Sequence, residues 1–268
     1  GTQTAEMSKA VAGVSGKEYR HGYFGKQIKL VKPEIVSMEN VPQLAKEEIF
    51  ERFVSLLDEE GYKVTWKIAY APAYGIPQSR KRLLLLASKL GEISFEQELT
   101  KKDYPTVRQA ISNLPKIGAG QSDPDDPLHT SRGLTKINLE RIKSSKPGGT
   151  WKDWDEKLLL EAYKKKSGQS FGSVYGRLEW DKPANTITTQ FLGIGNGRFG
   201  HPEQNRALSL REGALLQTFP KEYKFVDPEC GDSCSVEQIA LQIGNAVPPK
   251  LGEIIGTSIL SHLKEVNL

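Results

Sequence analysis

Glu39 and Asn40 stand where the apolar run Ile35-Val36-Ser37-Met38 gives way to Val41-Pro42. Open α/β sheets meet their ligands at the carboxyl ends of strands, so a carboxylate and an amide here suit a site. An exposed strand end with a turn-making Asn reads the same way. Gln78, Arg80 and Arg82 alternate along Gln78-Ser79-Arg80-Lys81-Arg82. On an extended backbone they share a face, where an amide and two guanidiniums could converge on a carbonyl oxygen and phosphates. A basic edge capping the next strand is the alternative. Gly244-Asn245-Ala246-Val247-Pro248-Pro249 combines a residue that allows close backbone approach, an amide able to hold a polar ligand and a Pro pair that opens a helix. It reads equally as a corner between two helices. Cys230 and Cys234 lie four apart with only four His in the chain, too few for a zinc site, so they read as ordinary thiols and no metal is expected.

These groups need elements to hold them. The residues before Pro33 read as the end of a helix and Ile35 onward as a short strand. Ile49, Phe50, Phe53, Leu56 and Leu57 repeat at helical spacing up to Gly61. Tyr62 to Ala71 alternates as a strand does, and Leu83 to Leu86 is a continuous apolar run of strand length. Strand, helix, strand, loop and buried strand is the rhythm of a layered α/β domain, for which a parallel sheet is the natural expectation. From about Gly91 the texture changes to Pro, Gly, Lys and Trp with short helical pieces. Regularity returns at Ser209, which with Glu212 forms a capping-box pattern ahead of Leu215, Leu216 and Phe219. The domains are therefore expected at 1–99, 100–205 and 206–268, the last a connecting helix and a C-terminal helix.

Apolar residues make up 37% of the 268 and charged residues 26%, and no apolar run approaches the roughly eighteen that cross a bilayer. A soluble protein is expected, with no membrane partner. The opening residues lack the succession of a secretory signal, so a cloned, processed or truncated start is expected rather than an exported one. The formal charge of +4 is concentrated: Leu128 to Lys166 carries ten Lys and Arg against five Asp and Glu, leaving the rest nearly neutral. A basic segment on a neutral scaffold suits a phosphate backbone, although a solvated face has the same composition.

In order, the chain reads Glu39-Asn40-Val41, then Gln-x-Arg-x-Arg before a strand, a variable basic region, Arg-x-Leu-Ser-x-Arg-Glu-x-Ala-x-Leu-Gln-x-Phe-Pro from Arg206, and Gly-Asn-Ala-Val-Pro-Pro from Gly244. This succession resembles the DNA (cytosine-5)-methyltransferases of bacteria, from about Phe24 onward. The resemblance implies a Rossmann-like, doubly wound methyltransferase sheet with a smaller irregular target-recognition domain. It implies a flipped cytosine in double-stranded DNA, S-adenosyl-L-methionine as cofactor, and a cytoplasmic, nucleoid-associated enzyme of a restriction-modification system. By resemblance Glu39 bonds N3 and the exocyclic amine of the cytosine. Arg80 and Arg82 lie near its O2, the nucleophile and a flanking phosphate, while Gly244, Asn245 and Val247 return to the cofactor pocket. Lys146, Lys164, Lys165 and Lys166 would hold phosphates. In Phe191 to Pro202, Gly193, Gly195 and Gly197 would let the backbone enter a groove with Arg198 available for guanine.

The family's Pro-Cys-Gln nucleophile loop, Gly-rich cofactor loop and first acidic residue have no match in this sequence. The chain is therefore expected to correspond to the back part of such an enzyme, as a fragment or as one subunit whose partner chain supplies those segments. Alone it would be inactive, with an apolar sheet edge near Ile35 to Met38. The alternative is a degenerate relative that binds DNA without methylating it.

Overall fold

The computed structural model describes residues 16–164, 172–226 and 235–266. In chain order the elements are α1 (Gly16–Val31), β1 (Ile35–Asn40), α2 (Glu48–Glu59), β2 (Lys63–Tyr70), β3 (Gln78–Ser79), β4 (Lys81–Ser88), α3 (Val107–Ile111), α4 (Lys136–Ser144), α5 (Glu161–Lys164), β5 (Ala184–Asn185), α6 (Leu210–Leu216), α7 (Val236–Asn245) and α8 (Pro249–Glu265), separated by short 3-10 turns. They fall into two compact units: one holds the described residues up to Tyr70, Lys81–Gln97 and those from Glu253 on, the other Ala71–Arg80 and Glu98–Gly252. Residues 206–252 thus pack with the preceding irregular region, and the chain re-enters the first unit at Glu253.

In the first unit the strand order is β1-β4-β2, with β4 antiparallel to both neighbours. The sheet is therefore not the parallel one expected. β1 and β2 do run in the same sense, joined by the α2 crossover, but only residues 71–80 separate β2 from β4. A parallel return needs a crossover of a dozen or more residues, so the chain comes back antiparallel into the gap. Leu83 to Leu86 are almost wholly buried, which explains a continuous apolar run in place of an alternating one. Phe50, Phe53 and Leu57 on one face of α2 pack with Val36, Met38, Leu83 and Leu85. Among the described residues β1 pairs on one side only, with its apolar Val36 and Met38 turned inward. On β4, Ser88 Oγ lies 2.8 Å from His262 Nε2 of α8.

The second unit is built around charge. Ser209 caps α6 and Glu212 returns the bond, completing the capping box read from the sequence. Glu212 does more: Oε2 accepts from Ser209 N at 2.8 Å and from the Arg206 guanidinium at 2.7 Å, and Oε1 accepts from the guanidinium's other arm at 2.7 Å. Both partners are fully buried. Burial alone would raise the Glu212 pKa, but the Arg206 hydrogen bonds outweigh it and hold the carboxyl below its ordinary value. Arg206 also donates to the carbonyls of Ile117 and Ala207. His129, buried, links Ser209 Oγ to Pro115 O. Arg177 is a second hub, with no carboxylate paired to it among the described residues but donating to the carbonyls of Ile142, Ser145, His201 and Gln204. It ties the end of α4 to the turn before Arg206. Around these hubs lie Leu178, Ile187, Phe191, Leu208 and Ile243.

His201 completes the cluster. Its Nδ1 accepts backbone N–H from Glu203 and Gln204, which leaves the proton of the neutral ring on Nε2, 3.6 Å from Glu212. Burial pushes its pKa down from 6.5 to about 4, although Glu212 pulls the other way.

The cluster should show itself in stability measurements. Arg206→Met leaves a buried carboxylate uncompensated and should cost about 3–5 kcal/mol, whereas Arg206→Met with Glu212→Leu should cost less than the two single changes added together, measured by urea denaturation. Because the folded-state pKa of His201 lies below its unfolded value, the folded protein binds fewer protons. The stability this contributes is complete above pH 6.5 and drains away as pH falls toward 4, by up to roughly 3 kcal/mol. His201→Gln should flatten that decline in the same denaturation series.

Candidate active site

Glu39 and Arg82 meet because their strands are neighbours: Glu39 is in register with Leu84 and Asn40 with Leu83, just beyond Arg82. Glu39 Oε1 lies 2.6 Å from Arg82 Nε, with the two side chains 19% and 18% exposed. Oε1 is buried, yet the approach is not one that an N–H···O hydrogen bond accepts. The contact is an ion pair whose acceptor still lacks a well-directed donor. Partial burial limits solvent screening, so the attraction exceeds that of a surface pair. Next to it, Asn40 Oδ1 accepts from Val41 N at 2.9 Å, fixing the turn that leaves β1.

Gln78 and Arg80 belong to the other unit, so the Gln-x-Arg-x-Arg segment crosses the boundary between the two. Gln78 is wholly buried: its amide donates to Leu216 O at 3.1 Å and Gln217 Oε1 at 2.6 Å and accepts from Ile187 N at 3.1 Å, so its hydrogen bonds stay within the protein. The extended run breaks at Arg80, β3 pairing with β5 and β4 beginning at Lys81. Arg80 is buried as well, with one guanidinium arm 3.4 Å from Ile187 O.

Gln217, which composition and spacing did not single out, carries the chain of amides onward: its Nε2 donates to Ile243 O at 2.7 Å. Its one signal was an amide inside the apolar run after Ser209. Gly244 is buried, and a Cβ there would come within 2.5 Å of the Thr188 carbonyl carbon and Thr189 Cα. The glycine is required by that backbone crossing, whatever else the turn does. Asn245 and Val247 are exposed on the same turn. They present a carboxamide and a branched apolar side chain, the two kinds of group that a ligand with a charged end and an apolar body needs.

Of the basic candidates, Lys146 is exposed and Lys164 is exposed but paired with Glu161 at 2.7 Å. Lys165, Lys166, Cys230 and Cys234 lie outside the described residues. Arg198 is engaged with Gly148 O. In the loop around it Phe191, Leu192, Ile194 and Phe199 are buried, Asn196 is exposed, and a Cβ on Gly197 would strike the Phe199 ring.

The model of the C-5 cytosine-specific DNA methylase family matches residues 22–261. The chain is 49% identical to the Type II methylase M.HgiDII of Herpetosiphon aurantiacus, over 90% of this chain and 68% of that protein. It is 34% identical to the Type II methyltransferase M1.HphI of Haemophilus parahaemolyticus over 88% and 59%, and 30% identical to M.Sau96I of Staphylococcus aureus over 91% and 54%. It thus spans between about half and two thirds of the length of these relatives. Among solved structures, a DNA modification methyltransferase encoded within a prophage of E. coli shares its fold with a TM-score of 0.68 at 19% identity, covering 93% of this chain and 75% of that one. With a family match across most of its length and a carboxylate–guanidinium pair on its β1–β4 strands, the chain belongs to the C-5 cytosine-specific DNA methylases.

Proposed function

We propose that the protein transfers a methyl group from S-adenosylmethionine to C5 of a flipped cytosine in double-stranded DNA, as the modification enzyme of a Type II restriction-modification system. The observation that carries this is the Glu39–Arg82 pair. Adding a thiolate to C6 of cytosine drives negative charge onto the ring, and a group at N3 has to meet it. Glu39 suits that role as a proton donor to N3, being partly buried and left with an oxygen that has no well-directed donor. A base edge bearing N3 and an amine would satisfy the oxygen that Arg82 leaves unsatisfied, and so select cytosine by its Watson-Crick edge. Arg82 holds the carboxylate's position, and its remaining donors suit the cytosine O2 or a phosphate.

Asn245 and Val247 would take the methyl donor's polar and apolar parts, with Gly244 fixing the turn that presents them. When bound, the donor supplies an electrophilic methyl group. The attacking Cys belongs in this reading to a segment outside the present sequence. The relatives are longer single chains, which offers a source for it without a second subunit. Lys146 and Lys164 remain the described candidates for phosphate contacts.

A second reading, a relative that binds DNA without methylating it, separates cleanly by experiment. The full-length protein incubated with labelled S-adenosylmethionine and DNA should incorporate label; binding with no incorporation would establish that second reading. Glu39→Gln should cut incorporation by about a hundredfold or more while DNA affinity holds, and equal loss of both would sink the role assigned to the carboxylate. Lys146→Ala should weaken binding to all sequences alike and make it less sensitive to salt, seen in affinities measured across a salt series.

A further inference from the structure

We infer that the cleft between the Thr189–Asn196 segment and α7 reads a base pair of the DNA site, with Gln190 and Asn196 as its specificity-determining residues. This rests on the methyltransferase reading above. The cleft, of about 460 Å³, lies wholly in the second unit, and its lining includes Gln190, Leu192, Asn196, Arg132, Glu237 and Leu241. Several polar groups in its wall are already engaged. Arg132 is paired with Glu237, and Gln238 of α7 accepts from Ser235 N at 2.8 Å in its capping box. The carboxamides of Gln190 and Asn196 are less committed. Gln190 is exposed, and Asn196 makes a long contact of 3.5 Å to the Gln190 carbonyl.

What distinguishes the pair from ordinary loop amides is the rigidity of their support. The backbone leading to Gln190 is gripped from several sides. Ile187 N donates to Gln78, Thr186 Oγ1 donates to Ser79 O at 3.0 Å, and Thr188–Thr189 lies against Gly244. Phe191 and Leu192 are buried directly after it. Asn196 is placed by Gly193, over whose Cα its amide lies: a Cβ at 193 would collide with Nδ2. A carboxamide offers a donor and an acceptor side by side, the complement of N6 and N7 of adenine in the major groove. Two such groups on a held backbone beside a solvent-open cleft form a reading head for an A·T pair. Arg198, engaged with Gly148, is not part of it.

The test uses the full-length protein with a library of DNA sites, reading the rate and the sequence of methylated sites. Gln190→Ala and Asn196→Ala should each lower kcat/KM on the preferred site by about 10- to 100-fold and admit sites changed at one A·T position. Gly193→Ala collides with the amide end of Asn196 while Gln190 O stays at an ordinary contact distance of 3.6 Å, so it should relax the same position with an unchanged melting temperature. Unchanged site preference in all three variants, a uniform loss across all sequences, or a preferred site containing no A·T pair would overturn the inference. A wild-type protein that methylates nothing would instead count against the methyltransferase reading itself.

Discussion

The Arg206–Glu212 pair is the constraint around which the larger unit is arranged. Two opposite charges have been taken fully out of water, which is tolerable only if nearly every lone pair and N–H finds a partner. Glu212 answers to Arg206, to the cap of α6 and to His201; Arg206 reaches back to Ile117 and Ala207. A pair that tolerates so few geometries turns a Gly- and Pro-rich stretch with little regular structure into a defined body. It also fixes where α6 begins. From α6 the Gln217 amide reaches the end of α7, and Gln78 ties the same chain of bonds to β3 and the Thr186–Thr189 backbone.

The smaller unit follows a different logic. Its sheet is held by apolar burial of β4 on both faces, and its buried polar contacts include the strand-end pair of Glu39 and Arg82, the contact of Ser88 with His262 of α8, and the bond from Tyr62 to Pro33 O. A buried central strand gives the ion pair a firm base at little cost, since the Leu83 to Leu86 run has no polar side chains to satisfy.

Much of this was legible in the sequence where the signal is local. The α2 face, the apolar run of β4 and the Ser209–Glu212 cap are short-range patterns, and each appears where its residues put it; β2 forms a strand as its alternation suggests, but its Trp66 and Ile68 stay exposed. The antiparallel return of β4 was not read, although the short connection at 71–80 held the information. The family was legible because its motifs are ordered along the chain. Partnerships across a hundred residues were not: nothing local in Gln78 says that it faces Gln217, and nothing in Arg198 says that Gly148 will take its guanidinium. A guanidinium in a glycine-rich loop looks available until the fold supplies a carbonyl.

Gly244 carries a consequence for how such a protein can change over time. Because the Thr188–Thr189 backbone crosses directly over it, that segment can neither lengthen nor shift without dislodging the turn that bears Asn245 and Val247. New preferences along the 186–190 stretch are therefore reached by exchanging side chains on a stationary track, in single steps that leave the neighbouring turn intact. Transplanting a loop of another length would disturb both at once.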